Sequence, residues 1–188
     1  MSFGSRTALK KRKDRFDIPG WLAFILRFVV NKKKLINVII EKLRGDLALY
    51  HKAAGAARAE ATHEQSKAEN KYDTRGLEAS YLARGQSRQA AEIAQAIAHF
   101  EKLAVREFSV GDVVDTGAVV RLQAGKEIST YFIGPRAGGT EVVHDDEEVL
   151  VITPESPLGS QLVGRKAGDK CELELGGRKQ QFKVMNVW

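Results

Sequence analysis

The sequence predicts an α+β chain: an N-terminal antiparallel coiled-coil hairpin, then a small antiparallel β domain with one short helix. Three observations predict it. Apolar residues recur at alternating intervals of four and three within residues 35–105, the coiled-coil period. Two such seams face each other when the chain is folded at Tyr72. Beyond residue 105 the composition turns to Gly, Val and Thr, with short alternating runs between turn signals.

Residues 1–34 read as a basic N-terminal extension. They hold ten bases and two acids. The formal charge of +6 therefore belongs to them, and the rest, with twenty bases and twenty-two acids, is mildly acidic. Such a body does not offer a nucleic-acid-binding surface. Lys10–Arg15 followed by the apolar run Trp21–Val30 leaves three readings open: a helix docked on the body, a basic amphipathic anchor at a membrane surface, or a disordered extension or start called too early, with true initiation near Val30. The run falls short of the ~20 residues that span a membrane. Arg27 interrupts it and no small-residue cleavage site follows.

Residues 35–105 form the hairpin. The ascending seam is Ile36, Ile40, Leu43, Leu47, Tyr50, Ala54, Ala57 and Ala61. The descending seam is Ala79, Ala83, Gln86, Ala90, Ile93, Ile97, Phe100 and Ala104. Folding pairs Leu43 with Phe100, Leu47 with Ile97, Tyr50 with Ile93, Ala54 with Ala90 and Ala61 with Ala83. Large residues meet at the base and alanines near the tip, so the arms close in toward a polar turn at residues 69–78. A self-pairing hairpin needs no partner helix, so a monomer is expected.

Residues 106–188 form the β domain. Strands are expected at Val113–Val114, Gly117–Leu122, Ser129–Ile133, Val149–Ile152, Cys171–Leu175 and Gln181–Val187, with turns at 110–112, 123–127, 135–139, 143–148 and 175–177. Pro154–Gly164 breaks the rhythm. Ser156 reads as an N-cap, Pro157 as the first helical residue and Gly164 as the stop.

Several chemistries find no support. Cys171 stands alone in a strand-like run, so it forms no intrachain disulfide, suits a reducing, cytoplasmic setting and reads as a buried structural thiol. His144-Asp-Asp-Glu-Glu148 reads as a solvated turn, and His51, His63 and His99 as helix-surface residues without ligand spacing. Gly134–Gly139 lacks the lysine of a phosphate loop. No Ser/His/Asp or Cys/His set is evident.

The stretch from Ile152 to Asp169 carries a resemblance. Ser156, Pro157, Leu158, Leu162, Gly164, Lys166, Gly168 and Asp169, with the strands after them, are similar in order and spacing to the C-terminal domain of the bacterial Gre (GreA/GreB) transcript-cleavage factors. That resemblance covers roughly residues 108–188 and implies an FKBP-like fold for the domain. Such factors also carry an antiparallel coiled coil, of about the length read here.

The resemblance implies a partner and a mode of action. The globular domain, through Ser156, Pro157, Leu158, Gly164, Lys166 and Asp169, would bind RNA polymerase at the rim of its secondary channel. The coil would run to the active centre, with indirect contact to nascent RNA or DNA there. An arm of ~35 residues reaches ~50 Å at helical rise. The protein itself would be a regulator and not an enzyme; FKBP-like folds include prolyl isomerases, but no run of aromatics follows residue 132.

In Gre factors two tip carboxylates help hold the polymerase's second Mg²⁺, a hard cation suited to oxygen ligands. Asp73 and Arg84 keep the family's eleven-residue interval, so Asp73 matches the first acid and would share that Mg²⁺. The second position is Gly76, with Glu78 two residues on and Glu69 across the turn. Asp73 also suits a plain capping role for the second helix. The effect on transcription, activating or inhibitory through occlusion, stays open. So does a second class of function, a coiled-coil spacer docking on another partner.

Overall fold

The structure, a computed structural model, describes residues 31–63, 75–109, 111–175 and 178–188. Residues 1–30 of the basic extension and most of the expected tip, with Glu69 and Asp73, lie outside the described residues; residues 31–34, assigned to the extension, instead cap and begin the first helix.

Two long helices come first: α1 (Lys32–Thr62) and α2 (Arg75–Glu101). The Asn31 side chain accepts from the Lys34 amide at 3.0 Å and caps α1. The predicted seams pack as expected. All eight ascending residues are buried or half-buried, as are seven of the eight descending ones. Ala104 is exposed, because α2 stops at Glu101, three residues earlier than the periodicity implied.

The remaining elements are strands β1 (Val119–Ala124), β2 (Glu127–Ile133), β3 (Glu141–His144) and β4 (Glu147–Ile152), helix α3 (Pro157–Leu162), and strands β5 (Lys170–Leu175) and β6 (Arg178–Val187). They build one six-stranded sheet in the order β3-β4-β2-β1-β6-β5.

Three details depart from the sequence reading. The sheet is mixed and not wholly antiparallel, because β2 and β4 run parallel from Thr130↔Val149 to Ile133↔Ile152. The inserted strand β3 causes this: the chain turns back after it, so β4 comes alongside β2 in the same direction. β3 itself spans four residues, two of which the sequence reading assigned to a turn. Val113–Val114 is not a strand, though the Val114 amide donates to the Arg165 carbonyl at 2.7 Å.

Period-two alternation sends side chains to two cores. On one face Val119, Phe132, Val142, Val149 and Val151 receive Leu35, Ile39 and Phe100 from the rod's base. On the other, Val120, Leu122, Ile133, Ile152 and Val184 receive Leu162 of α3. Cys171 is buried in this second core, and burial pushes its thiol pKa up.

Leu35 and Ile39 lie off the coil seam. They are a second apolar stripe, which seats α1 on the sheet while the first pairs it with α2. Fully burying an aliphatic side chain is worth ~1.5–3 kcal/mol, so these two and Phe100 tie the rod firmly to the domain. Gly134 makes room for Phe100. A Cβ there would stand 2.7 Å from Val151 Cγ1 and 3.0 Å from Phe100 Cζ.

Candidate functional site

The residues singled out in the sequence fall at two separate places, the tip of the rod and a loop of the sheet domain. At the tip, the small side chains of Ala54, Ala57, Ala79 and Ala83 are buried between the arms. α1 has 31 residues, and the rod is therefore about 46 Å long at helical rise. Glu78 is exposed in the first turn of α2, where its negative charge complements the helix dipole. Gly76 is already helical, and its carbonyl accepts from Ser80 Oγ at 2.8 Å. Gly76 therefore lies in the first turn of α2. Among the described residues no group of three or more His, Cys, Asp or Glu is placed to hold a metal ion.

The loop is built by its signature residues. Ser156 Oγ donates to the Thr153 carbonyl at 2.7 Å and accepts from the Gly159 amide at 3.1 Å, so one hydroxyl closes the turn and caps α3. Pro157 follows at the first helical position, where a missing N–H costs nothing. Gly159 is obligatory, since a Cβ there would meet the Thr153 carbonyl oxygen at 1.9 Å. Gly164 takes φ +83°, and its amide donates to the Val114 carbonyl at 2.9 Å. Asp169 Oδ2 accepts from the Lys166 amide at 2.9 Å, and the Gly168 amide, at φ +96°, donates to Val184.

These contacts divide the signature by role. Ser156, Gly164 and Asp169 spend their polar groups on the domain's own backbone. Leu158 is half-buried against the second core. Pro157 and Lys166 keep exposed side chains, and Lys166 carries a charge to the surface.

The His144–Glu148 stretch is the tight turn between β3 and β4. Asp145 and Asp146 have φ of 50° and 63°, the two positive values of a type I′ hairpin turn. Lys34 Nζ donates to Asp145 Oδ1 at 3.0 Å, joining α1 to this turn and holding the Asp145 carboxyl below its ordinary pKa. His51, His63 and His99 are exposed on or just beyond the helices, as expected.

Sequence reading missed three features. His144 is buried beneath α1, in a run that looked wholly solvated. The Arg121 guanidinium is buried on the sheet, where it donates to Glu147, whose second oxygen accepts from Thr130 Oγ1 at 3.2 Å. Lys32 is buried too. It donates to the Arg106 carbonyl and lies 4.4 Å from the Phe108 ring centre, with Arg106 4.8 Å from the same ring. Burial, the largest effect, lowers the Lys32 pKa. Strand alternation placed Arg121 on an inward face in principle; nothing local marked Lys32.

A two-helix rod seated on a small mixed sheet, with a capped short helix before the last hairpin, is the arrangement the Gre resemblance leads one to expect. Residues 109–188 match the family described as transcription elongation factor, GreA/GreB, C-terminal. Among curated relatives, the transcription inhibitor protein Gfh1 of Thermus aquaticus is 27% identical over 119 residues, covering 62% of this chain and 71% of that protein. Gfh1 of Thermus thermophilus is 25% identical over 119 residues, with 62% and 72% covered. Among solved structures, Gfh1 of Thermus thermophilus shares 23% identity at a TM-score of 0.34, covering 79% of this chain and 94% of that one. A GreA/GreB factor from Nitrosomonas europaea shares 20% at a TM-score of 0.30, covering 59% and 91%. Among the described residues no helix is long and apolar enough to cross a membrane.

Proposed function

We propose that this protein binds bacterial RNA polymerase and regulates elongation by occupying the secondary channel with its rod. The sheet domain docks at the channel rim through the surface around α3, with Pro157 and Lys166 as its exposed contacts. The rod, about 46 Å by helical rise, carries the tip toward the active centre. The protein acts as a non-catalytic regulator in the cytoplasm, as a monomer.

The observation that carries this reading is the tip. Asp73 aligns with one magnesium-binding acid of the Gre factors, but Gly76 stands at the second position and is already within α2. One carboxylate in place does not make the family's pair, so no metal step is assigned to this chain. Occlusion of the channel, and not stimulated RNA cleavage, is the activity this tip supports. The curated relatives bear the name transcription inhibitor, which fits the same direction.

The test begins with co-purification on core polymerase, then measures elongation rate and cleavage of backtracked complexes. Binding with slowed elongation and no added cleavage is expected. Strong cleavage that disappears in Asp73→Ala would refute occlusion and restore the metal role. Failure to bind polymerase would favour the spacer reading.

A further inference from the structure

Part of one side of the sheet is left open. Period-two alternation turns Cys171, Phe182 and Val184 into the second core. It turns Lys170, Glu172, Gln181 and Lys183 to the opposite side, where all four are exposed. The rod is seated on that side, but on residues of β1, β2, β3 and β4. Among the described residues β5 and β6, beyond β1 in the strand order, add nothing to that seat.

Lys170 and Lys183 are direct partners across the β5–β6 ladder. Side chains so placed share a face with Cβ atoms ~4.5–5.5 Å apart, and like charges there destabilise a sheet. Gln123 of β1 is the partner of Lys183 on its other side, so the row crosses three strands. A depression of about 290 Å³ lies there, lined by Gln123, Gly125, Lys170, Gln181, Phe182 and Lys183. Arg165 and Lys166 are exposed on the loop that runs from α3 into β5. The end of that loop is held next to Lys183: the Gly168 amide donates to the Val184 carbonyl at 2.8 Å, and the Val184 amide to the Asp169 carbonyl at 2.9 Å.

Among the described residues none of these four cations is in an ion pair, and neither is Glu172, the acid nearest along the same face. The chain beyond residue 34 has more acids than bases, so the excess of positive charge here is local. β5 and β6 hold no exposed aromatic among the described residues, Phe182 being buried, so the face lacks the stacking platform of a single-strand binder. Compact ammonium groups on a strand pair match carboxylates, and the face is continuous with the docking surface around α3 through Lys166.

We propose that Lys170 and Lys183, with Arg165 and Lys166 beside them, form a cationic face that holds a carboxylate-rich segment of the polymerase. It extends the docking surface from α3 onto β5 and β6, and it rests on the docking reading given above. The repulsion built into the strand pair is relieved when the acidic segment binds.

Lys183→Glu in the full chain sets an opposite charge against Lys170, which supports the strand pair while cancelling the face. The expected result is polymerase affinity lowered about tenfold, a shallower fall of affinity with salt, and a urea midpoint unchanged or raised. Lys183→Arg keeps the charge and should bind as wild type does. Unchanged affinity and salt dependence in Lys183→Glu overturn the proposal. So does a loss of affinity matched by a lower urea midpoint, which assigns the pair to the fold alone. A second arm adds a short oligoglutamate at low salt, which should shift the ¹⁵N NMR amide signals of Lys170, Gln181 and Lys183 in wild type and not in Lys183→Glu. Larger shifts with a DNA duplex of equal charge overturn the proposal in favour of nucleic acid. If wild type does not bind polymerase, the docking reading fails, and the oligoglutamate arm still decides the face: shifts keep a carboxylate-binding site, and their absence overturns it.

Discussion

Phe100 and Phe132 stack with ring centres 6.1 Å apart and planes 29° from parallel. One is the last packed residue of the coil seam and the other lies in a central strand. Rod and sheet therefore share a core at this contact, and the rod's direction is set there. Phe100→Ala should cost ~3–5 kcal/mol, the usual range for a fully buried Phe. Urea denaturation followed by circular dichroism measures it. The sheet's own denaturation should shift with the helices if the two form one cooperative unit.

Gly134 tests the same junction from the other side. An added methyl would meet Val151 at 2.7 Å and Phe100 at 3.0 Å. Gly134→Ala should destabilise by ~1–3 kcal/mol through overpacking, visible as a lower urea midpoint.

Glycines in the rod should behave in the opposite way. Gly45, Gly55 and Gly85 are helical, and a Cβ at each would meet nothing within 4 Å. Replacing any one by Ala should stabilise the protein by ~0.5–1 kcal/mol, because glycine loses more backbone entropy in a helix. A thermal melt checks it, and a loss of stability would show that these sites carry hidden contacts.

The signature loop separates structure from contact. Ser156→Ala removes a cap and should cost ~1 kcal/mol. Lys166→Ala leaves the loop's backbone bonds intact and should change stability by less than ~0.5 kcal/mol, while weakening binding to core polymerase. Pull-down affinity and a urea melt on both variants give the comparison.

Asp145 carries a pH signal. Its bond to Lys34 lowers the carboxyl pKa, so the ion pair contributes above the ordinary carboxylate value and is lost as pH falls through the lower folded value. The pair is exposed and its contribution is small. Carbon-detected NMR titration should show Asp145 protonating below the ordinary carboxylate value, and Lys34→Ala should raise its pKa.

The coil seam was legible because a helical pair repeats one spacing many times. Leu43 and Phe100 were placed from periodicity alone and are both buried. The α3 cap was legible because Ser156-Pro157 is a local code. The second stripe, Leu35 and Ile39, was not, since its partners are strand residues about a hundred positions away. β3 stayed hidden because its four residues run straight into Asp145-Asp146, and those two make the turn. Arg121 sat at an inward strand position, but its charge hid the burial, which depends on Glu147 reaching it from β4, two strands away in the sheet. Of the tip residues, Glu78 is already helical, while Asp73 and Glu69 lie outside the described residues.

The central claim is that the rod enters the polymerase. Glu78→Cys gives an exposed thiol near the tip, and the native Cys171 is buried. Loaded with a benzophenone label, this variant should crosslink on irradiation to polymerase segments around the active centre. Crosslinks confined to the polymerase exterior, with binding retained, would contradict the account.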